Sequence, residues 1–154
     1  HRVSVYYKIP HYSLICSIKY CFSRLTPKRR TKVTLREVKE ILDAEVIVGH
    51  DQLDKEIKTA FGADLMSDVL AFAKAGSLLL TGLTNPQVIR TSDVLDIAAI
   101  VLVRGKRPTP ETVTLAEELG IPVLTTRYIL FETAGRLYQN GIIGCVDKVE
   151  NTFN

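Results

Sequence analysis

The sequence predicts an α/β domain of three layers, a mostly parallel or mixed sheet with helices on both faces. Three observations carry that expectation. Helix and strand signals alternate from Val33 almost to the end of the chain, the pattern of a sheet built from crossover units. Two strand signals, Leu78-Leu79-Leu80 and Ile97-Ala98-Ala99-Ile100-Val101-Leu102-Val103, are apolar throughout, as in strands covered on both sides. The 154 residues, 46% hydrophobic and 24% charged, suit one such domain and exclude a largely disordered, collagen-like or many-repeat chain.

The elements follow in order. Thr34 with Glu37 three residues later is a capping box, and Leu35, Val38, Ile41 and Leu42 recur at helical spacing. Ala44 to Val48 reads as a strand ended by Gly49, His50 to Asp54 as a polar turn, and Ile57 to Phe61 as a second strand closed by Gly62. Ser67-Asp68 opens a short helix over Val69 to Ala75 with Gly76 at its end. After the Leu78–Leu80 strand and the turn Thr81-Gly82-Leu83-Thr84, Asn85-Pro86 supplies a cap and a first-turn proline for a helix to about Val94. The strand Ile97–Val103 leads through the basic loop Arg104-Gly105-Lys106-Arg107-Pro108 to a helix opened by Thr109-Pro110 and ended by Gly120. Ile121 to Leu124 is a strand. Thr125-Thr126 then lead into a helix from Arg127 to Asn140, with Phe131, Ala134 and Leu137 on one face and Tyr138 beside them. Cys145 to Asn154 is a short strand or a loose end.

Charge divides the chain. Eight of the 20 basic residues and none of the 17 acidic ones lie in residues 1–32, leaving 33–154 with a net charge of −5. This basic leader admits four readings: a secretory signal, an organellar presequence, a nucleic-acid arm with stacking aromatics, or sequence that is not native protein. The last is expected. The chain begins at His1, Arg29-Arg30 is encodable as AGG-AGG, a strong bacterial ribosome-binding sequence, and Val33 as a GTG start. CGN codons at both arginines would remove that expectation in favour of a genuine, poorly ordered tail.

Reactive chemistry has little to work with. Outside the leader the chain holds one histidine, His50 in a turn, and one cysteine, Cys145. Any serine– or cysteine–histidine arrangement would have to use His50, which reads as an exposed turn residue, and no set of about four cysteines is available for an iron–sulfur cluster. Asp51 with Asp54, and Asp64 with Asp68, fit neither an EF-hand nor a histidine–carboxylate site and read as solvated carboxylates. No run approaches about 18 apolar residues, so no membrane span is expected. No phosphate-binding glycine loop is present, yet the topology supplies another route to anions. In a parallel sheet the carboxyl ends of the strands share one rim, where ligands bind. The segments leaving that rim here each precede a helix, whose free N–H groups favour a negative group. The ligand-binding candidates are Thr81, Gly82, Thr84, Asn85, Arg90, Arg104, Gly105, Lys106, Thr125 and Thr126. Asn85, Thr109 and Thr126 are good helix caps whatever the function. Leu65, Met66, Leu70, Phe72 and Leu83 are core or part of a self-association surface.

The segments Thr34 to Gly49 (TLREVKEILDAEVIVG), Ser67 to Phe72 (SDVLAF) and Arg104 to Thr126 (RGKRPTPETVTLAEELGIPVLTT) resemble a DRTGG domain over about residues 33–140. That module occurs alone, between CBS domains in some pyrophosphatases, and in phosphotransacetylases. Its fold is similar to the N-terminal domain of HPr kinase, and the resemblance implies a homodimer. Thr81 to Thr91 (TGLTNPQVIRT) resembles a stand-alone subgroup often found near iron-only hydrogenase genes, which implies a hydrogenase-related partner enzyme. The chain departs from the eponymous motif: Leu83-Thr84-Asn85 stand where Asp-Arg would fall, and Val103-Arg104-Gly105 where Thr-Gly-Gly would.

The expectation is thus a cytoplasmic, non-catalytic regulatory module, without cofactor or metal. It dimerises, senses an adenine nucleotide or another phosphate-bearing ligand, and modulates a partner enzyme. The expected divisions are a leader over 1–32, a domain over 33–144 and a tail over 145–154. One alternative is a small phosphate-ester or anhydride hydrolase using Asp64 or Asp68 with Arg104. A weaker one is nucleic-acid binding through the leader, since the acidic domain is a poor surface for it.

Overall fold

Thr34 opens the first helix by the reciprocal pair its spacing predicts. In the computed structural model, which describes residues 32–149, its hydroxyl accepts from the Glu37 N–H at 3.3 Å, and the Glu37 carboxylate accepts from the Thr34 N–H at 2.9 Å. Two donors that a helix start leaves open are thereby satisfied. Residues 1–31 of the leader and residues 150–154 lie outside the described residues, and the readings made of them lie there too.

The elements run β1 (Val33–Thr34), α1 (Leu35–Ile41), β2 (Glu45–Val48), β3 (Glu56–Ile57), β4 (Thr59–Gly62), α2 (Met66–Phe72), β5 (Leu78–Thr81), α3 (Pro86–Val94), β6 (Ala99–Leu102), α4 (Pro110–Leu119), β7 (Val123–Thr125), α5 (Leu130–Gln139) and β8 (Ile143–Gly144). Six strands form one sheet in the order β2-β7-β6-β5-β4-β8. All its pairings are parallel except that of β2 with β7. β1 and β3 form a separate antiparallel pair, Val33 opposite Ile57.

Alternation along the strands assigns the helices to faces. Leu78, Leu80, Ala99, Val101 and Leu124 point to one side and pack with Leu35, Val38 and Leu42 of α1 and its C-cap and with Leu137 of α5. Leu79, Ile100, Leu102 and Val123 point to the other and pack with Met66 and Val69 of α2, Val88 and Ile89 of α3 and Ala116 of α4. The predicted three layers are present. The mixed element is the antiparallel edge strand β2, which follows α1 and enters the sheet from the opposite direction.

Several elements differ from expectation: α2 stops at Phe72 rather than Ala75, and the regular parts of β6 and β7 are Ala99–Leu102 and Val123–Thr125. The strand predicted over Ile57–Phe61 divides: Ile57 belongs to the small pair, while Thr59–Gly62 enters the main sheet. α2 starts at Met66 with Leu65 at its cap and no side-chain capping bond, so Ser67 does not open it. α5 starts at Leu130, because Arg127–Ile129 form a turn whose Tyr128 carbonyl accepts the Arg104 N–H at 2.8 Å. Cys145 is not a loose end: it is buried, and its N–H donates to the Ala60 carbonyl at 3.0 Å.

Candidate functional site

The carboxyl ends of β4, β5, β6 and β7 lie on one rim because these four strands are parallel neighbours. Backbone bonds stitch the outgoing loops together. The Val103 N–H donates to the Thr81 carbonyl at 3.0 Å, and the Gly105 N–H to the Thr126 carbonyl at 2.8 Å. The Thr84 carbonyl accepts from both the Thr109 N–H at 3.3 Å and the Thr112 hydroxyl at 2.8 Å. The turn after β6 carries positive φ at two successive residues, Arg104 (63°) and Gly105 (64°). Glycine adopts that conformation freely, whereas Arg104 does so at a cost its bonds must offset.

A clasp from the β4–α2 loop closes the rim. Asp64 Oδ1 accepts from the Gly82 N–H at 2.6 Å and from the Thr81 hydroxyl at 3.1 Å, and Asp64 Oδ2 faces Arg104 Nη2 at 3.4 Å. The Arg104 guanidinium lies directly over Gly82, so that a Cβ there would displace it. The hydrolase alternative named Asp64 and Arg104, and they do meet, but the carboxylate is already committed to two donors and a cation. Asp68 is exposed on α2. Among the described residues no group of three or more metal-ligating side chains occurs.

The predicted residues fare unequally. Thr81, Gly82, Thr84, Arg104, Gly105, Lys106, Thr125 and Thr126 come together at the rim, but most of the expected hydroxyls are spent internally. Thr81 donates to Asp64, Thr125 donates to the Lys106 carbonyl at 2.7 Å, and Thr126 donates to the Leu42 carbonyl at 2.7 Å. Asn85 occupies the N-cap position of α3, yet its side chain makes no capping bond. Thr109 does cap α4, accepting from the Thr112 N–H at 3.3 Å. Arg90 does not join the rim: it borders a shallow depression with Glu111, Thr114, Leu115 and Glu118 of α4. Four residues outside the predicted set complete a polar pocket of about 520 Å³. These are Asp43, Glu45, Arg107 and Arg127, beside Gly105, Thr125 and Thr126. Arg107 was legible in the basic loop, and Arg127 was concealed by the expectation that α5 began there. Asp43 and Glu45 arrive only because β2 runs antiparallel along β7.

Arg107 and Glu45 form a two-pronged pair, Nη1–Oε1 3.0 Å and Nη2–Oε2 2.5 Å. These hydrogen bonds hold the Glu45 carboxyl below its usual range and raise Arg107. A depressed folded value means that the pair's contribution is present above the ordinary glutamate range and lost as pH falls through the folded one. Carboxyl NMR should therefore show Glu45 titrating below an ordinary glutamate, and moving up in Arg107→Gln. A titration that ignores Arg107→Gln would show that the pair does not form in solution.

A second concavity, of about 580 Å³, is apolar and lies between α5, β4 and β8. The expected shared face of Phe131, Ala134 and Leu137 divides here, Leu137 buried and Phe131 exposed. Leu130, Thr133 and Leu137 form the inward stripe of α5, while Phe131 is 85% and Tyr138 53% exposed, with Ala134 between them also exposed. The two stripes are one residue apart around the helix, so sequence spacing alone did not choose between them. In the other predicted apolar group, Met66 is buried, Phe72 and Leu83 are half-buried, and only Leu65 and Leu70 are exposed.

Residues 37–140 match the family described as the DRTGG domain. A curated relative, "Uncharacterized protein YtoI" of Bacillus subtilis (strain 168), is 32% identical over 108 residues. The match takes in 69% of this chain and 24% of the relative, so the chain spans about a quarter of that protein's length. Among solved structures, a similar one is that of the CBS and DRTGG domains of the regulatory region of Clostridium perfringens pyrophosphatase, complexed with its activator diadenosine tetraphosphate. It superposes with a TM-score of 0.61 at 18% identity, covering 83% of this chain and 57% of that one. At such identity the likeness establishes the fold.

Proposed function

The chain belongs to the DRTGG domain family, and on that premise we propose that it is a non-catalytic regulatory module. It binds a phosphate-bearing nucleotide at the carboxyl rim of its sheet and acts on a partner enzyme. The observation that carries this reading is the convergence of three loops on one rim with Arg104, Lys106, Arg107 and Arg127 exposed there. An otherwise acidic domain concentrates cations where strand ends leave a crevice. The neighbouring fold belongs to a regulatory region that binds an adenine dinucleotide, which supports the class of ligand. Among the described residues no helix is long and apolar enough to cross a membrane; a cytoplasmic location is part of the proposal.

Self-association is also proposed, and the surface that supports it is α5 rather than α2. Phe131 and Tyr138 flank Ala134 and Gly135, so two copies crossing antiparallel at the small residues would bring each Phe131 to the other's Tyr138. Thermal unfolding of the full chain against a panel of mono- and dinucleotides tests ligand binding. A ligand at about 100 times its Kd should add roughly 2.7 kcal/mol. Native mass spectrometry of the same samples should show a dimer that Phe131→Glu converts to monomer without loss of fold. No stabilisation across the panel would remove the nucleotide, and a monomeric parent would remove the self-association.

A further inference from the structure

The rim has one place where successive loops part to opposite faces. β4, β5 and β6 are each followed by a helix on the face that carries Leu79 and Ile100. β7 is followed by α5 on the face that carries Leu78 and Val101. β6 and β7 are adjacent and parallel; the loops leaving them are joined at their roots, the Arg104 N–H to the Tyr128 carbonyl and the Gly105 N–H to the Thr126 carbonyl, and part beyond that seam toward opposite faces. In open α/β sheets such a switch point is where ligands lodge. The polar pocket lies there: its lining includes Gly105 from the β6 loop and Thr125, Thr126 and Arg127 from the end of β7.

The lining indicates what would fit. Arg107 and Arg127 bring two guanidinium groups and Asp43 and Glu45 two carboxylates. Glu45 is engaged by Arg107, whereas neither Asp43 nor Arg127 has an ion-pair or hydrogen-bond partner for its side chain among the described residues. The pocket therefore offers one uncommitted guanidinium, suited to a phosphate, and one uncommitted carboxylate, suited to hydroxyl donors. Two anionic walls would repel a bare polyanion, and two cationic ones a bare sugar would not need. A phosphorylated sugar satisfies both. Asp43, which lines this pocket, stands at φ 44° at the turn into β2, a conformation that aspartate tolerates.

We infer that the crevice at the β6–β7 switch point binds a ribose phosphate unit, its phosphate on Arg127 and its hydroxyls on Asp43. This rests on the reading of the rim as an anion site and adds the position and the sugar. The test uses the full chain and calorimetric titration with ribose 5-phosphate, inorganic phosphate, ribose, AMP and 2′,3′-dideoxy-AMP. Ribose 5-phosphate and AMP should bind at least tenfold more tightly than phosphate, ribose or the dideoxy nucleotide. Arg127→Ala should weaken every phosphate-bearing ligand at least tenfold. Asp43→Asn keeps tolerance of the backbone and should weaken ribose 5-phosphate and AMP while leaving phosphate and the dideoxy nucleotide no weaker, since it also removes a charge that repels them. Circular dichroism confirms that each variant is folded. If AMP binds but neither variant alters it, and Arg104→Ala does, the crevice is wrong while the rim reading stands. If AMP and the dideoxy nucleotide bind equally, the sugar assignment is wrong. Binding of none of the five overturns the inference, and the rim reading then depends on the wider nucleotide panel.

Discussion

Leu79→Ala should destabilise the domain by about 2–5 kcal/mol, the largest effect expected from a single conservative truncation. Leu79 is fully buried in β5, between β4 and β6, and packs on the layer formed by α2, α3 and α4. Removing its branched end leaves a cavity that a central strand cannot collapse into, because it is hydrogen-bonded on both edges. Urea unfolding should show a lower midpoint at unchanged slope. Leu79→Val, which removes less volume, should fall between parent and Ala. A loss below about 0.5 kcal/mol, the size ordinary for a surface site, would mean that this face of the sheet is not covered.

Asp64→Ala is the second. It removes one acceptor from two donors at once, the Gly82 N–H and the Thr81 hydroxyl, and releases Arg104. Gly82 and Thr81 are buried, so their donors would lose their partner where water reaches poorly. Asp64 itself is half-exposed, which limits the cost, and about 1–2 kcal/mol is expected. Arg104→Ala should cost less, within about 0–1 kcal/mol, since it breaks only an exposed ion pair. This ordering is the diagnostic. Equal losses, or a larger one for Arg104→Ala, would show that the ion pair rather than the two hydrogen bonds closes the rim. Asp64→Asn, which retains an acceptor, should lie between Asp64→Ala and the parent.

The legible part of the molecule was its local grammar. The Thr34–Glu37 box, Pro86 and Pro110 at helix starts and Gly120 in left-handed conformation after α4 are short-range features. Each depends on neighbours no more than about four residues away, so sequence spacing reveals it. The unbroken apolar runs of β5 and β6 likewise announced two covered faces. The site was legible in part. The rim position of Gly82, Arg104, Gly105 and Thr126 followed from the parallel direction of the strands before them, whereas the pocket's Asp43 and Glu45 needed the antiparallel pairing of β2 with β7. Arg90 was lost to the rim because its side of α3 turns toward α4. The role of Asp64 was not legible, since a clasp across two loops leaves no mark in spacing.

By itself the amino-acid sequence determined the fold class, the layer order and the family. Hydrophobic periodicity and capping act over a turn or a strand, and their energies are set by nearby residues. Tertiary structure alone decided which hydroxyls were already consumed, which stripe of α5 faced the sheet, and which charges met across the β6–β7 crevice. Those outcomes depend on distances between residues far apart in the chain, and such distances exist only once the sheet has fixed its strand order and direction.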